Sequence, residues 1–582
     1  MKKTLSISIA AFLLVAVMLS ATWWNAESDA AAVKYAKPAD GGACVVTHLD
    51  HTAKPARGFE RAGADVHTPK TAKVAYDTVY LSPNGDFRVS YFRTGGSAVP
   101  ALDSDEDGTP DYVEIVASSA DSILSVYRSM GYTRPIHSGG GYQIRLDELS
   151  DEGVYGYAYN LPGLDNDYLQ LDDDYSETLT YTTSGLDGMR VTLAHELFHV
   201  MQFTYVNYVS GNQWWMEATA TSMEDVMYDD INDYHQYLEP YEPWGVLIYE
   251  DPSFALDNAS EPGHMYGAAV FPHYLRSRWG DWALRGIQYT FEVQAEAGLT
   301  TAVIVGALES HFGSSIQSLL ADFWLWSYFT GDRAIDGWFF PDAADYYQPP
   351  NPSRIATDDW VLTGLSDKGT VVDTITTQHL GGWLIRVVPE PGKSGGVRIS
   401  LSDVAPYEGK LAWRVGVVTT AGDSVTFYDP VGGIVDVNWS DASDIVIGVA
   451  NGSLYVPLLE SFGTYMFRYN IQYNASITTG SVGVAKTPLP EPSALGQNYP
   501  NPFNPSTTIP VVLSESASVS LVVYDANGRR VRTLASRALS AGQHSFTWDG
   551  TTDIGRPAGT GTYIARLVTP TGAFARRLVL VR

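Results

Sequence analysis

The run His195-Glu196-Leu197-Phe198-His199 constrains this chain more than any other feature of its sequence. Residues four apart share one face of a helix, so the two histidines can hold one metal ion only if this segment is helical. The flanking residues 189–203 repeat apolar side chains at helical spacing, and Ser184 or Asp187 can begin the helix. The alternative is a buried helix whose histidines only make hydrogen bonds, and it would bury the intervening glutamate at a high cost in free energy.

The third protein ligand that a catalytic zinc ion needs is best supplied by Glu217. This glutamate lies in the helix-like stretch 214–225, after a turn rich in Tyr, Asn and Gly that allows two helices to run antiparallel. Seventeen residues separate it from His199. A third histidine six residues after His199 would be the other common arrangement, but Tyr205 occupies that position. The sequence therefore predicts His195, His199 and Glu217 as zinc ligands.

Glu196 stands beside the predicted ligands, where it can act as the general base toward a zinc-activated water. Amide hydrolysis also needs a hydrogen-bond donor to the oxyanion, for which we favour Tyr266 and then His264. Aromatic residues at helical spacing more often pack in a core, and that is the alternative for both. Glu224 and Asp225 can orient an imidazole, or they can be plain surface carboxylates.

Three β-like segments precede the histidine helix, at 142–146, 154–159 and 167–172. The third is the last before the helix, and we expect it to be an edge strand on which an extended peptide can lie. An ordinary core strand is the alternative. The substrate-binding residues predicted on this strand are Tyr168, Leu169, Gln170 and Leu171.

A second metal-binding signal lies at residues 103–114. Carboxylates stand at positions 1, 3, 5, 9 and 12 of this segment and glycine at position 6, which is the oxygen-ligand spacing of a calcium loop. The residues before it cannot be helical, whereas residues 111–130 can. We expect a structural Ca²⁺, the alternative being a solvated acidic loop. The predicted ligands are Asp103, Asp105, Asp107, Asp111 and Glu114.

The N-terminal sequence predicts export. Two lysines are followed by an apolar run to Leu19, so residues 1–30 read as a secretory signal peptide, and the run is too short to be a transmembrane anchor. Residues 31–80 form an N-terminal segment and a candidate pro-region. Its single cysteine, Cys44, allows no internal disulfide; it is a thiolate that could cover the zinc ion, or an incidental thiol. We expect a secreted or cell-surface protein.

Length and charge set further bounds. A chain of 582 residues is expected to make three or four domains. A net charge of −29 argues against nucleic acid as a partner. After a first domain at 81–345, short β-like runs between turn residues predict an all-β sandwich at 355–478, and residues 479–495 read as a linker.

The first domain resembles a family of secreted bacterial metallopeptidases. The shared motifs are the aspartate-rich loop ending in Pro-Asp-Tyr-Val-Glu at 110–114, the HExxH helix, and a Trp-x-x-Glu motif at 214–217. The interval to the last glutamate is also similar to that of the gluzincin class, although Thr221 stands where that class has an acidic residue. The resemblance implies an α+β zincin-like catalytic domain and a zinc peptidase.

The last domain, 496–582, resembles the C-terminal sorting domain of type IX secretion cargo. The resemblance begins at Gly-Gln-Asn-Tyr-Pro-Asn-Pro-Phe-Asn-Pro and continues to the final Arg-Arg-Leu-Val-Leu-Val-Arg. It implies an Ig-like β-sandwich, similar also to flagellar hook-capping proteins, that is recognised by export and sorting machinery. The domain has nine Arg, no Lys and four acidic residues, a net charge of +5. A permanent structural cap is the alternative.

These features together predict a multidomain chain, with a zincin-like domain followed by two β-sandwiches. We expect a secreted zinc metallopeptidase that hydrolyses peptide bonds in protein or peptide substrates. The alternative is a catalytically inactive or latent surface adhesin built on a zincin scaffold. The intact ligand set and the intact base, Glu196, argue against that alternative.

Overall fold

The computed structural model describes residues 43–48 and most of 76–580. Within 76–580 it leaves out eleven longer segments, given at the end of this paragraph, and several shorter ones of one to four residues. The predicted signal peptide lies outside the described residues, as does most of the candidate pro-region. The longer interruptions fall at 133–140, 161–166, 177–181, 240–246, 348–359, 362–367, 389–394, 405–409, 455–463, 475–483 and 487–493.

The first domain contains a six-stranded sheet that forms from short alternating segments, since every second residue of such a strand faces the core. Strand β4 shows this directly, with buried residues at alternate positions. The strand order is β1-β5-β6-β4-β3-β2. The strands are β1 (Ala43–His48), β2 (Thr78–Leu81), β3 (Phe87–Tyr91), β4 (Tyr142–Asp147), β5 (Val154–Asn160) and β6 (Tyr168–Asp172).

The predicted edge strand is wrong, although its position in the sequence is right. Residues 168–172 form β6, which pairs with β4 on one side and with β5 on the other. Both sides of its backbone are therefore hydrogen-bonded, and no peptide can add to it. The strand nearest the histidine helix is β5, which runs antiparallel to β6 and pairs in parallel with β1 on its other side, so that β1 forms this edge of the sheet.

Helices cover this sheet and continue the chain after it. The histidine helix begins after Ser184, whose extended backbone ends the preceding loop, although its side chain does not cap the helix. The helices are α1 (Asp111–Ser129), α2 (Gly185–Gln202), α3 (Gln213–Met227), α4 (Pro262–Gly267), α5 (Val270–Trp279), α6 (Asp281–Ala297), α7 (Thr301–Phe312) and α8 (Ile316–Tyr328). Helices α1 and α3 both pack against α2, so the predicted helix pair is confirmed.

The second domain is the predicted β-sandwich, with sheets in the orders β13-β10-β15-β8 and β16-β12-β11-β14-β9-β7. The predicted linker is partly wrong, because β16 joins this sandwich and β17 joins the next domain. The strands are β7 (Trp360–Val361), β8 (Lys368–Gln378), β9 (Gly382–Val388), β10 (Gly396–Asp403), β11 (Leu411–Thr419), β12 (Val425–Asp429), β13 (Ile434–Asn438), β14 (Ala442–Asn451), β15 (Thr464–Asn474) and β16 (Val484–Lys486).

The sandwich shares a core with the helices rather than standing apart. Helix α8 packs across β9, β11 and β14. Glycines make this approach possible: a side chain on Gly382 would collide with the Trp324 ring, and a Cβ on Gly448 would lie 2.5 Å from the Ala321 carbonyl oxygen. The composition of the strands therefore fixes where the sandwich attaches.

The third domain is a smaller sandwich with its own core around Trp548. Its sheets have the orders β17-β18-β21 and β20-β19-β22-β23. The strands are β17 (Ala494–Leu495), β18 (Thr507–Leu513), β19 (Ala517–Asp525), β20 (Arg530–Leu539), β21 (Gly542–Trp548), β22 (Gly561–Thr569) and β23 (Gly572–Leu580). Among the helices described, none has the length and apolar character needed to cross a membrane.

Candidate metal centre

The three predicted ligands converge on one point between α2 and α3. Nε2 of His195 lies 3.0 Å from Nε2 of His199. Oε2 of Glu217 lies 3.2 Å from the first of these nitrogens and 3.3 Å from the second. All three residues are completely buried. Two imidazole nitrogens and a carboxylate oxygen at these separations fit the ligand set of a catalytic zinc ion.

Both histidine ligands are hydrogen-bonded through Nδ1, the ring nitrogen on the side away from the metal position. Nδ1 of His195 is hydrogen-bonded to Oε1 of Glu224 at 2.7 Å, and Nδ1 of His199 to Oε1 of Gln202 at 2.6 Å. Such contacts fix the ring orientation and direct Nε2 toward the metal position. Glu224, one helical turn beyond Thr221, thus makes the contact that its predicted role as an orienting carboxylate requires.

Tyr208 supports the third ligand. Its hydroxyl donates a hydrogen bond of 2.8 Å to Oε1 of Glu217, which leaves Oε2 to face the histidines. The Gln202 amide donates to the Met216 carbonyl oxygen at 3.0 Å, so the same side chain that orients His199 also ties α2 to α3. Neither Gln202 nor Tyr208 was predicted, because no spacing rule singles out a glutamine or a tyrosine in this region.

The charges at the centre suit a bound cation. Burial alone would raise the pKa of Glu217, but the neighbouring imidazoles outweigh it and lower the pKa to about 2. Burial lowers the pKa of His195 to about 4, against the opposing effect of Glu217. At neutral pH the centre therefore offers a neutral His195 imidazole and a carboxylate, the forms that bind metal.

Burial, followed by the nearby carboxylates of Asp233 and Glu196, raises the pKa of Glu224 well above its usual range. A divalent cation at the centre would favour the ionised form of this group through the imidazole between them.

Glu196 lies on α2 next to the ligands and is completely buried. Strand β5 passes directly over it at Gly156, where a Cβ would come within 2.7 Å of the Thr192 methyl group and 3.3 Å of Cγ of Glu196. A glycine at this position lets the strand approach the helix closely. Strand β5 and the predicted general base are thereby brought together.

The two predicted oxyanion donors lie on the short helix α4, and both are buried. The Tyr266 ring stacks on Tyr237 at 5.0 Å and lies 6.1 Å from the His195 ring. The structure therefore brings Tyr266 to the metal centre. The His264 ring lies 6.3 Å from Phe254.

The acidic loop before α1 gathers part of its predicted ligand set. Carboxylate oxygens of Asp103, Asp105 and Asp107 lie within 4.8 Å of one another. Asp111 instead accepts hydrogen bonds from the backbone and hydroxyl of Ser104, at 2.8 and 2.6 Å. Glu114 is outside the group of three. Its pKa is raised by burial and, to a smaller extent, by the neighbouring carboxylates. Three of the five predicted calcium ligands are thus together.

Sequence comparisons identify the last domain. A family model described as the FlgD Ig-like domain matches residues 503–572. The basal-body rod modification protein FlgD of Escherichia coli (strain K12) is 46% identical over 61 residues, which is 10% of this chain and 26% of that protein. The chain therefore spans about a quarter of this curated relative.

Solved structures give weaker likenesses. PorU of Porphyromonas gingivalis, crystallised as a latent dimer, matches 41% of this chain and 22% of its own at 13% identity, with a TM-score of 0.14. Aminopeptidase A of Legionella pneumophila, in complex with aspartic acid, matches 63% and 35% at 10% identity, with a TM-score of 0.28. At these TM-scores the likenesses do not establish a shared fold or function. The comparisons identify its C-terminal domain as an Ig-like domain of the FlgD type.

Proposed function

We propose that this protein is a secreted zinc-dependent peptidase. The observation that carries the proposal is the convergence of His195, His199 and Glu217 beside the buried carboxylate of Glu196. The test is to measure zinc content and casein hydrolysis for the protein and for Glu196→Gln. Zinc in both, with hydrolysis by the unsubstituted protein alone, supports the proposal; zinc in both with hydrolysis by neither would favour the inactive scaffold.

Zinc held by these three residues would supply Lewis acidity, which brings the pKa of a water to near neutral and polarises the scissile carbonyl. Glu196 takes the proton from that water and later delivers it to the leaving amine. Glu224 and Gln202 keep the two imidazoles in place through both steps. Tyr266 stabilises the oxyanion of the tetrahedral intermediate by donating a hydrogen bond.

Two tyrosines near the centre are expected to act differently when each loses its hydroxyl. Tyr266→Phe should lower kcat by about 10²- to 10³-fold and leave zinc affinity unchanged, because its hydrogen bond forms only in the transition state. Tyr208→Phe should weaken zinc binding by about 10- to 100-fold, because it frees Oε1 of Glu217. Each variant is therefore the control for the other, with kcat at saturating zinc and the zinc dissociation constant as readouts. Equal effects of both on zinc affinity would contradict the assignment of Tyr266.

The N-terminal strand β1 occupies the edge where a peptide substrate would be expected to add. It pairs with β5 from Ala43↔Val154 to His48↔Asn160, and β5 lies over Glu196. We propose that this pairing keeps the peptidase latent. Removing residues 1–73 should raise peptide hydrolysis by about tenfold or more, because a tethered strand competes at an effective concentration of about 1 mM.

Neighbouring residues of β1 provide a matched test, because consecutive backbone N–H groups in a strand point to opposite sides. One of Val45 and Val46 directs its N–H toward β5, and the other directs it away from the sheet. Proline should relieve latency at only one of these two positions. Equal activity of the full-length and shortened chains would overturn the latency proposal and leave the peptidase proposal intact. Inactivity of both would count against the peptidase itself.

The C-terminal domain and the acidic loop of the first domain have proposed roles in export and in stability. We propose that the Ig-like domain is read by sorting machinery during type IX secretion, which its net positive charge supports in an otherwise acidic chain. Loss of residues 496–582 should then leave the protein inside the cell.

We also propose that the cluster Asp103, Asp105 and Asp107 holds Ca²⁺, which would stabilise the start of α1 in a protein without disulfides.

A further inference from the structure

A cavity of about 850 Å³ lies where the helical domain meets the middle sandwich. Helices α5, α7 and α8 form one wall, and strands β10, β11 and β12 form the other. This volume is within the range of small-molecule sites, which occur preferentially at domain interfaces. The residues that matter for its chemistry are Arg278, Trp279, Asp322, Trp413, Arg414 and Asp429.

Two guanidinium groups in the cavity wall share one buried carboxylate. Arg414 pairs with Oδ1 of Asp322, and Arg278 pairs with Oδ2, which also accepts a hydrogen bond of 2.8 Å from the Tyr274 hydroxyl. Asp429 lies 3.1 Å from Nε of Arg414, but its side chain is 40% exposed and its charge is partly screened by water. With Asp429 included, two guanidinium groups face two carboxylates, of which Asp429 is the less buried.

Arg414 has donors to spare. The residue is only 6% exposed, and its Nη2 has no hydrogen-bond partner among the described residues. A buried guanidinium nitrogen without a partner costs free energy that an acceptor in the cavity would recover. Burial, the largest effect, lowers the pKa of both Arg278 and Arg414, which shows how poorly solvated the two cations are. The chemistry favours an oxyanion ligand, and the planar fork of a guanidinium matches a carboxylate.

Aromatic rings and hydroxyls complete the lining. The Trp279 ring has the Arg278 guanidinium 4.7 Å from its centroid and the Phe312 ring centroid also at 4.7 Å, and the largely buried Trp413 contributes part of a second indole. Ser314, Ser318 and Ser402 add hydroxyls that can donate or accept. Flat apolar faces next to hydroxyls suit a ring that carries hydroxyl groups of its own. The exposed carboxylate of Asp403 also lines the cavity, so one carboxylate and not several is the charge we expect on the ligand.

We propose that this cavity binds a sugar acid, a pyranose ring with one carboxylate, at a position independent of the metal centre. The carboxylate would pair with Arg278 and Arg414, and the ring would lie against the indoles. The proposal does not rest on the peptidase reaction, and binding should be the same in Glu196→Gln.

Calorimetric titration of the full chain with D-glucuronate tests this directly. D-glucose, with the same ring and no charge, and acetate, with the charge and no ring, are the matched probes. Glucuronate should saturate one site and bind at least about tenfold more tightly than either probe. No saturation with glucuronate, or equal binding of glucose, would overturn the proposal.

Variants test whether glucuronate binds in the cavity or elsewhere on the protein. Arg278→Gln should weaken glucuronate binding by about tenfold or more, because it removes one charged donor and keeps the Arg414–Asp322 pair. Arg386→Gln breaks a comparable pair with Asp444 on the same sandwich, outside the cavity, and should have no effect. Ser402→Glu, at an exposed position of the rim, should also weaken binding without disturbing the core. Unchanged affinity in both cavity variants would contradict the proposed site.

Discussion

Glu196→Gln is expected to lower peptide hydrolysis by about 10²- to 10⁴-fold, the usual contribution of a general base. The substitution keeps the size of the side chain and removes its ability to take a proton from water. His195, His199 and Glu217 are untouched, so the variant should still bind one zinc ion. The measurement is kcat/KM on a peptide together with zinc content of the same sample.

The matched control for this variant is Glu292→Gln, the same change at a partly exposed position of α6 where the carboxylate pairs with Arg285 at 2.8 Å. It should retain full activity, because exposed ion pairs contribute little to the fold. Retention of more than about a tenth of the activity by Glu196→Gln would show that another group accepts the proton.

Zinc removal is expected to have the second large effect, on stability. A ligand that binds only the folded state at about 1,000 times its Kd stabilises that state by about 4 kcal/mol. For a domain of this size, chelation should therefore lower Tm by roughly 8 to 16 °C. Without a cation, burial raises the pKa of Glu224 and lowers the pKa of His195, so the charged forms of both groups are disfavoured at the centre.

Glu217→Gln shows whether this change in Tm comes from the proposed centre. It removes the carboxylate whose Oε2 faces both Nε2 atoms. Its Tm should already be low, and a chelator should change it by less than about 2 °C. Calorimetry with and without chelator gives both values. A full chelator response in this variant would place the stabilising metal elsewhere, with the acidic loop at Asp103 the first alternative.

Helical spacing made the metal centre predictable. His195 and His199 are four positions apart, so any helix through them gives a shared face, and the apolar repeat around them required that helix. Glu217 followed because a short turn returns the chain antiparallel. Glu224 was predicted only as one of two possible orienting carboxylates, since its neighbour Asp225 had an equal claim. The structure separates them: Asp225 pairs with Arg276 at 3.0 Å instead.

Sheet order could not be predicted in the same way. The segments that form β5 and β6 are both short runs of β-forming residues, and nothing in either shows which strands pair with it. The edge is set by pairing between distant segments, including β1, which is about a hundred residues earlier in the chain than β5. The partners Tyr208 and Gln202 were missed for a related reason, because each acts through a side-chain contact that depends on how α2 and α3 pack.

The central claim is that hydrolysis depends on one zinc ion at this centre. The most direct measurement is to titrate zinc into the metal-free protein lacking residues 1–73 and to follow peptide hydrolysis at each addition. We predict that activity is absent at the start, rises in proportion to zinc and levels off at one equivalent per chain. Activity in the metal-free protein, or one bound zinc with no hydrolysis, would contradict the claim.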